Sequence, residues 1–193
     1  AADDRVRVIR LQKNSGQTAG LAAGVRAARG QVIGMLDADL QNDPADLPRM
    51  LTELENADIV CGIRADRHDS WVRRTSSRIA NSVRNRLTGE EVTDVGCSLR
   101  VFRAHLACGL PLFTGMHRFL PTLLRMQGGT LKEIPVRHRP RVYGESKYGI
   151  QNRLWVAIAD LFAVRWMQRR WIDSRVATEV ATTPPPDPPR PSR

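Results

Sequence analysis

Cysteine is scarce in this chain of 193 residues, which contains only Cys61, Cys97 and Cys108. An odd number of widely spaced cysteines offers neither a disulfide framework nor the paired spacing of a zinc site, so we expect a reducing compartment. Long apolar runs are also missing, because no stretch approaches the roughly 18 to 20 residues that span a bilayer. Residues 1–5 contain no apolar segment, and we therefore expect neither a signal peptide nor a membrane crossing.

Acidic residues are the minority among the charged side chains, with 20 Asp and Glu against 30 Lys and Arg and a formal net charge of +10. A basic excess of this size attracts anionic partners, which include nucleic acid, lipid headgroups and phosphorylated substrates. The hydrophobic fraction of 41% is ordinary for a globular domain and too low for a multi-span membrane protein. The length is sufficient for one domain with its own core.

Apolar runs and turn residues alternate along the chain in an α/β pattern. The pattern predicts strands at residues 6–10, 32–36, 58–62, 98–102 and 131–137, and helices at residues 18–29, 44–54, 71–88 and 117–126. Gly30 is expected to end the first helix, and the uninterrupted apolar run at residues 32–36 indicates a strand buried on both faces. Short connections between such strands favour a mostly parallel sheet flanked by helices.

The last part of the chain differs from this pattern. Residues 148–172 predict an amphipathic helix, whose apolar side is formed by Ile150, Leu154, Ile158, Leu161 and Phe162. Residues 173–193 are rich in proline and are expected to be disordered. The predicted division is thus a domain at residues 1–147, a juxtamembrane helix at 148–172 and a tail at 173–193.

The helix at residues 148–172 has two interpretations. Its tryptophans favour the headgroup region of a membrane and its arginines favour anionic lipid; these residues are Trp155, Trp166, Trp171, Arg153, Arg165, Arg169 and Arg170. The other interpretation is an ordinary amphipathic helix that packs against the sheet.

An acidic cluster, D-A-D-L-Q at residues 37–41, follows the apolar strand at 32–36 directly. Ligands of open α/β sheets bind where parallel strands end, and two carboxylates that lie two residues apart repel each other unless a cation lies between them. Asp37, Asp39 and Gln41 offer the oxygen ligands that Mg²⁺ or Mn²⁺ prefers when it is shared with a diphosphate. The simpler interpretation is helix capping before Pro44, which suits Asp43 better than Asp37 or Asp39.

The run from Ala28 to Pro44 resembles the core of family 2 glycosyltransferases of the dolichyl-phosphate mannose synthase type, a group with bacterial polyprenyl-phosphate members. The similarity continues in order through residues 58–64, 93–100, 115–119 and 137–147, and covers roughly residues 6 to 170. It implies a GT-A-like (Rossmann-like) fold and inverting transfer of a sugar from a UDP- or GDP-linked donor to a polyprenyl phosphate.

The resemblance also implies roles for individual residues. Asp39 and Gln41, with Asp37 beside the nucleotide, match the positions that bind the divalent metal. Arg64 and Arg78 resemble the arginines that hold the acceptor phosphate. Arg141 and Lys147, in the R-V-Y-G-E-S-K segment, resemble a mobile loop that closes over the donor diphosphate.

Less specific interpretations stay open for several of these side chains. Arg64 and Arg78 also fit a solvated basic face, and Arg141 and Lys147 a polar surface loop. Asp94 is a candidate to orient the acceptor or act as a base, or else a turn residue at a strand end. His117 is a candidate for contact with the sugar, or a surface histidine.

The resemblance has two departures. Family members begin with two strands that bind the nucleotide base and ribose, and this sequence starts after both, so we expect an N-terminally incomplete fold. Many bacterial members continue into transmembrane helices where this chain has its proline-rich tail. The implied location is the cytoplasmic face of the inner (plasma) membrane, as a peripheral protein, with a homo-oligomer possible.

Three other functions compete with the transferase. A catalytically inactive fragment of the same family is the closest of them. A basic nucleic-acid-binding module would account for the charge but not for the D-A-D-L-Q cluster, and no aromatic RNA-binding motif occurs. A haloacid dehalogenase-type phosphatase also places D-x-D after a strand, but it requires Thr or Val at position 41 and a later G-D-x-x-x-D, which is missing. We therefore expect no nucleic-acid partner.

Overall fold

The computed structural model describes residues 3–65, 71–139 and 150–172, with the side chains of all these except 71–78 and 150–154. The helices and strands in these ranges are α1 (Gly16–Ala27), β1 (Val32–Met35), α2 (Leu47–Glu53), β2 (Ile59–Arg64), α3 (Trp71–Thr88), β3 (Arg100–Arg103), α4 (Leu120–Met126), β4 (Leu131–Val136) and α5 (Ile150–Arg169). Short 3-10 helices lie at Pro44–Asp46, Ala104–Ala107 and Met116–Arg118. The tail predicted at 173–193 lies outside the described residues.

The four strands form one sheet in the order β1-β3-β2-β4. Strand β3 is antiparallel to both of its neighbours, β1 and β2, whereas β2 and β4 pair in parallel, with Arg64 opposite Val136. Three strands therefore run in one direction and β3 runs in the other, so two of the three pairings are antiparallel and the sheet is mixed. The expected α/β class is confirmed, but β1 and β2 are not neighbours, because β3 lies between them.

The core occupies both faces of the sheet, because successive side chains of a strand point to opposite faces. Ile59 and Cys61 of β2 pack with α4 and α5 residues such as Leu123 and Val164. Val60, between them in sequence, packs on the other face with Met50 of α2. Helices α4 and α5 therefore cover one face of the sheet and α2 covers the other.

The first predicted strand does not form. Residues 6–10 have no strand assignment and are exposed, with Val8 89% accessible. The backbone N–H of Val6 donates to the carbonyl of Asp3, three residues earlier. A strand needs a neighbouring strand for its hydrogen bonds, and none of the four strands in the described residues pairs with this segment.

Two expectations about the next segment were also wrong. Helix α1 ends at Ala27, because Ala28 is already extended with ψ 142°, so Gly30 does not end the helix. Strand β1, at the edge of the sheet, is only partly buried, and Gly34 in it is exposed, so the predicted burial on both faces is wrong.

Helix α5 has apolar side chains on two of its faces. Leu161 and Val164 are buried in the core, so the helix does pack against the rest of the fold. Phe162, which was expected on the same side, is instead 61% exposed, because it lies about 100° around the helix from Leu161. No described helix is both long and apolar enough to cross a membrane.

Candidate active site

Most of the site residues predicted from the sequence lie at one end of the sheet. Strands β1, β2 and β4 finish there and the antiparallel β3 begins there. We call this the carboxyl end of the sheet; it comprises the residues that follow β1, β2 and β4 and those that precede β3. The D-x-D-x-Q loop (residues 36–43) follows β1, Arg64 is the last residue of β2, Asp94 precedes β3, and residues 137–139 follow β4.

The D-x-D-x-Q loop is held by contacts within itself and with its surroundings. The backbone N–H of Gln41 donates to Asp39 Oδ1 at 3.2 Å. Between them, Leu40 has φ 63°, in the left-handed region that non-glycine residues seldom adopt. Backbone strain of this kind is typical of functional loops. Asn42 Nδ2 donates to Ser98 Oγ at 2.8 Å, which joins the loop to the residues that precede β3.

Asp43 confirms the capping role expected of it. Its Oδ1 accepts the backbone N–H of Ala45 at 3.1 Å at the start of the 3-10 helix. Its Oδ2 accepts from Arg139 Nη2 at 2.8 Å. The Ala45 N–H, followed by Arg139, holds the pKa of Asp43 below its ordinary value.

The segment after β4 lies against the same loop. The backbone N–H of Arg139 donates to the carbonyl oxygen of Gln41 at 2.8 Å, and Asn42 and His138 form an isolated antiparallel bridge. Gln41 Nε2 lies 3.4 Å from His138 Nε2 and donates to the Arg139 carbonyl at 3.3 Å. These contacts use the nitrogen of the Gln41 amide and so determine which way its oxygen points.

The donor set fits a magnesium or manganese ion that is shared with a substrate. Asp39 and Gln41 are half-buried and Asp37 is exposed, and all three present hard oxygen ligands. Among the described residues no cluster of three His, Cys, Asp or Glu side chains could hold a metal. Mg²⁺ commonly binds through one or two carboxylates together with substrate phosphates, so a site with two carboxylates suits it.

Arg64 and Asp94, predicted separately, form one ion pair. Arg64 Nε donates to Asp94 Oδ2 at 2.7 Å and Nη2 donates to Oδ1 at 2.8 Å, a bidentate arrangement. The Arg64 backbone N–H donates to Oδ2 as well, at 3.2 Å. The side chains are 16% and 4% exposed. Two parallel hydrogen bonds make a guanidinium–carboxylate pair geometrically specific, so Asp94 fixes the orientation of the Arg64 guanidinium.

His117 lies beside the start of α1. Its Nδ1 is 3.2 Å from Thr18 Oγ1, which also accepts the Gly115 backbone N–H at 3.1 Å. One residue earlier, Gln17 Nε2 donates to Asp37 Oδ1 at 3.4 Å. The first turn of α1 therefore connects the D-x-D-x-Q loop with the Gly115–His117 segment.

Some predicted residues lie where the structure does not describe them. Arg78 belongs to α3, but its side chain is outside the described residues, as are Arg141 and Lys147 entirely. Sequence reasoning missed Gln17, His138, Arg139 and Glu133. His138 and Arg139 belong to the same R-H-R-P-R segment that carries the family resemblance, and that motif was the signal that could have identified them. Gln17 and Glu133 had no signal in the sequence.

Comparison with known proteins establishes the family. Residues 1–108 match the model of glycosyl transferase family 2. The chain belongs to this family, as the D-x-D-x-Q loop at the carboxyl end of its sheet indicates. This confirms the resemblance inferred from the motifs.

Two curated relatives have related names. The chain is 40% identical over 169 residues to the dodecaprenyl-phosphate galacturonate synthase of Rhizobium johnstonii, covering 85% of the chain and 50% of that protein. It is 39% identical over 149 residues to the undecaprenyl-phosphate 4-deoxy-4-formamido-L-arabinose transferase of Edwardsiella ictaluri, covering 77% and 46%. The chain thus spans about half the length of the curated relatives it matches.

Solved structures support the fold. Glucosyl-3-phosphoglycerate synthase from Mycobacterium tuberculosis, in a complex with Mn²⁺, UDP-glucose and phosphoglyceric acid, superposes with a TM-score of 0.54 at 15% identity, covering 88% of this chain and 59% of that one. The complex of the same enzyme with phosphoglyceric acid gives a TM-score of 0.53. At this identity the similarity concerns the fold alone.

Proposed function

We propose that this chain contains the metal-binding and acceptor-binding parts of an inverting glycosyltransferase, which moves a sugar from a nucleotide-sugar donor to a polyprenyl phosphate. The observation on which the proposal rests is the carboxyl end of the sheet, where the oxygen ligands of the D-x-D-x-Q loop and the oriented guanidinium of Arg64 occur together. The names of the two curated relatives, which both mention a polyprenyl phosphate, favour this acceptor class.

The proposed reaction is a single displacement at the anomeric carbon. An oxygen of the acceptor phosphate forms the new bond to the sugar while the bond to the UDP or GDP leaving group breaks, with inversion. A phosphate monoester is already anionic at neutral pH, so the protein's main task is to bring two anionic reactants together. Guanidinium groups serve this purpose because they bind phosphate in bidentate fashion and keep their proton.

The residues have distinct roles in this proposal. Asp39 and Gln41, with Asp37, would hold Mg²⁺ or Mn²⁺, which when bound offsets the charge of the departing diphosphate. Arg64 and Arg78 bind the acceptor phosphate. Arg141 and Lys147 bind the donor diphosphate. Asp94 acts on the acceptor side, where its carboxylate engages Arg64.

Asp39→Ala tests the metal site. The assay is transfer of labelled sugar from UDP- and GDP-sugars to a short polyprenyl phosphate by the intact protein, with Mn²⁺ titrated. We expect a loss of at least about 100-fold in turnover, because charge that develops on the leaving diphosphate would lose an electrostatic stabiliser. Asp4→Ala, an exposed carboxylate near the N-terminus, is the matched control. Retention of most activity in Asp39→Ala would remove the loop from the mechanism, and a wild-type protein inactive with every donor would favour the inactive-fragment alternative.

The second half of the proposal concerns the membrane. Trp155, Phe162 and Trp166 recur at helical spacing on α5 and are 73%, 61% and 61% exposed, while the opposite face is buried. Arg170 lies over the Trp166 ring at 5.6 Å. Exposed aromatic residues flanked by arginines suit the headgroup region of an anionic membrane, the place where a polyprenyl phosphate presents its phosphate. The division into a transferase domain at 1–147 and a membrane-facing helix at 148–172, on the cytoplasmic face of the inner membrane, is part of this proposal.

Vesicle flotation tests the membrane contact. We expect the wild-type protein to float with vesicles that contain anionic lipid, and the Phe162→Ser, Trp166→Ser double variant to remain in the soluble fraction. Leu51→Ser on α2, also an exposed apolar residue, is the matched control. Equal flotation of the double variant and the wild type would exclude this face of α5 as the contact.

A further inference from the structure

Glu133, a half-buried residue of β4, binds the backbone that carries Asp94. Its Oε1 and Oε2 accept the Thr93 N–H at 3.0 and 2.8 Å, and Oε1 also accepts the Asp94 N–H at 3.3 Å. Glu133 lies opposite Cys61 in the parallel pairing of β2 with β4. It is therefore attached to the sheet itself, and its carboxylate fixes a loop that has no regular structure of its own.

Asp94, held in this way, forms an ion pair with Arg64 at the end of β2. The carboxylate accepts hydrogen bonds from Nε and Nη2 of the guanidinium at 2.7 and 2.8 Å. The guanidinium group is planar, so two hydrogen bonds along its Nε–Nη2 edge also fix the direction in which its other edge points. Glu133 and Arg64 are thus connected through Asp94, although Glu133 does not bond to Arg64 in any described contact.

Gly96 leaves the space that the end of the Arg64 side chain occupies. A Cβ placed on Gly96 would lie 2.6 Å from Arg64 Nη2, closer than real contacts allow, and 3.5 Å from Asp94 Oδ1. The backbone at Gly96 does not have a positive φ, so an alanine there avoids the strain of a left-handed conformation. Gly96→Ala would therefore move the end of the Arg64 side chain without an intrinsic effect on the backbone.

We propose that Glu133 is a positioning residue: through the Thr93 and Asp94 N–H groups it holds Asp94 in place, and Asp94 directs Arg64 toward the acceptor phosphate. This inference rests on the proposed function for what Arg64 binds, but not for how Arg64 is oriented. Glu133 itself touches neither substrate nor metal in this scheme. Its removal weakens acceptor binding and leaves the donor side unchanged.

Two measurements test the proposal. The first is steady-state transfer to farnesyl phosphate, analysed separately for the KM of the acceptor, the KM of the donor and kcat. The second is the NMR signal of the Arg64 Nε–H group, identified by its loss in Arg64→Lys. The variants are Gly96→Ala, Glu133→Ala and Glu133→Gln. The control is Glu53→Gln, which removes the carboxylate paired with Lys132, the neighbour of Glu133 on β4.

We expect Gly96→Ala and Glu133→Ala each to raise the KM for farnesyl phosphate about tenfold, the size of one charge-assisted hydrogen bond, with the donor KM unchanged. Glu133→Gln should show a smaller rise, because its amide oxygen still accepts one N–H group. In the same three variants the Arg64 Nε–H signal should shift and broaden. Glu53→Gln should leave both measurements at the wild-type value.

The outcomes separate this proposal from the proposed function. If the wild-type protein does not use farnesyl phosphate, the proposed function fails, and the Arg64 signal still decides whether Glu133 orients that side chain. An unchanged Arg64 signal in Glu133→Ala would overturn the positioning role. Equal rises in donor and acceptor KM, or a fall in kcat alone, would overturn it too, because a general structural role predicts those results.

Discussion

Arg139 and Asp43 join two loops that are far apart in sequence. The Arg139 guanidinium donates to Asp43 Oδ2 at 2.8 Å, while the other oxygen of the same carboxylate caps the 3-10 helix that begins at Pro44. One carboxylate thus holds the segment after β4 against the D-x-D-x-Q loop and also begins the next helix. Both contacts favour the ionised form of Asp43.

Asp43→Ala should therefore destabilise the protein in a pH-dependent way. Because the folded-state pKa of Asp43 is lowered, its contribution is fully present above about pH 5 and is lost as the pH falls through the folded pKa. The midpoint of thermal unfolding of the variant should lie below that of the wild type at pH 7, and the gap should narrow as the pH falls through the folded-state pKa. Arg139→Gln should have a smaller effect, because the Ala45 N–H still bonds to the carboxylate in that variant. A gap that stays constant down to pH 2.5 would contradict the assignment.

Gly62 in β2 has no room for a side chain. A Cβ there would lie 2.6 Å from Val136 Cγ2 and 3.0 Å from Cys97 Sγ. Gly62→Ala should cost about 1–3 kcal/mol of the free energy of unfolding, as overpacking of a core does. Gly34→Ala in β1 is the control, since its Cβ would make only ordinary contacts at 3.6 and 3.7 Å. Urea unfolding of both variants measures this difference. Equal stability would show that the core side chains around Gly62 shift to accommodate the added methyl group.

The buried ion pair between Arg84 and Glu90 should be costly to break. Arg84 Nη2 donates to Glu90 Oε2 at 3.1 Å and to Thr122 Oγ1 at 2.6 Å, and both charged side chains are almost fully buried. Burial lowers the pKa of Arg84. Glu90→Ala leaves this cation without its carboxylate, at an expected cost of about 3–5 kcal/mol.

The neighbouring Glu91 offers a direct comparison, because its side chain is exposed. Glu91→Ala should change the free energy of unfolding by no more than about 0.5 kcal/mol. Chemical denaturation at pH 7 measures both variants. Similar small changes in the two would mean that water replaces the Glu90 carboxylate.

The three cysteines should differ sharply in reactivity. Burial raises the pKa of Cys61 to about 12 and raises the pKa of Cys97 as well, whereas Cys108 is exposed. At pH 8 only about one in 10⁴ Cys61 thiols is ionised, and the thiolate is the reactive form. We expect the folded protein to react with a thiol reagent at Cys108 alone, and all three to react in denaturant. Fast labelling of Cys61 in the folded state, located by peptide mass, would contradict its burial.

Adjacent residues of α5 should respond in opposite ways. Leu161 is buried in the core, so Leu161→Ala should cost about 2–5 kcal/mol of stability. Phe162 is exposed, and its replacement by alanine should cost no more than about 0.5 kcal/mol. Thermal unfolding compares the two, and a large loss in Phe162→Ala would show that the exposed face packs against something within the protein.

Local sequence was sufficient for elements that have a clear period or a clear end signal. The strands β2 and β4, the helices α3 and α5 and the capping by Asp43 were predicted close to where they lie. Phe162 shows the limit of this reasoning. Its spacing matches the apolar side of α5 almost as well as that of Leu161, and only the packing partners decide which of the two is buried.

Strand pairing was less predictable. Residues 6–10 have the composition of a strand, but a strand forms only beside a partner, and the sequence of the segment does not contain that partner. The position of β3 between β1 and β2 likewise depends on contacts across the sheet. The hydrophobic periodicity of a single segment contains no information about those contacts.

For the candidate site, the sequence by itself determined the chemistry: oxygen ligands directly after a strand, and arginines suited to phosphate. Only the tertiary structure decided the partners, because Arg64 bonds to Asp94 across 30 positions and Asp94 to Glu133 across 39. The sequence states directly which side chains are present at each position. Which charges meet depends on where the sheet brings distant strand ends together, and that is a property of the whole fold.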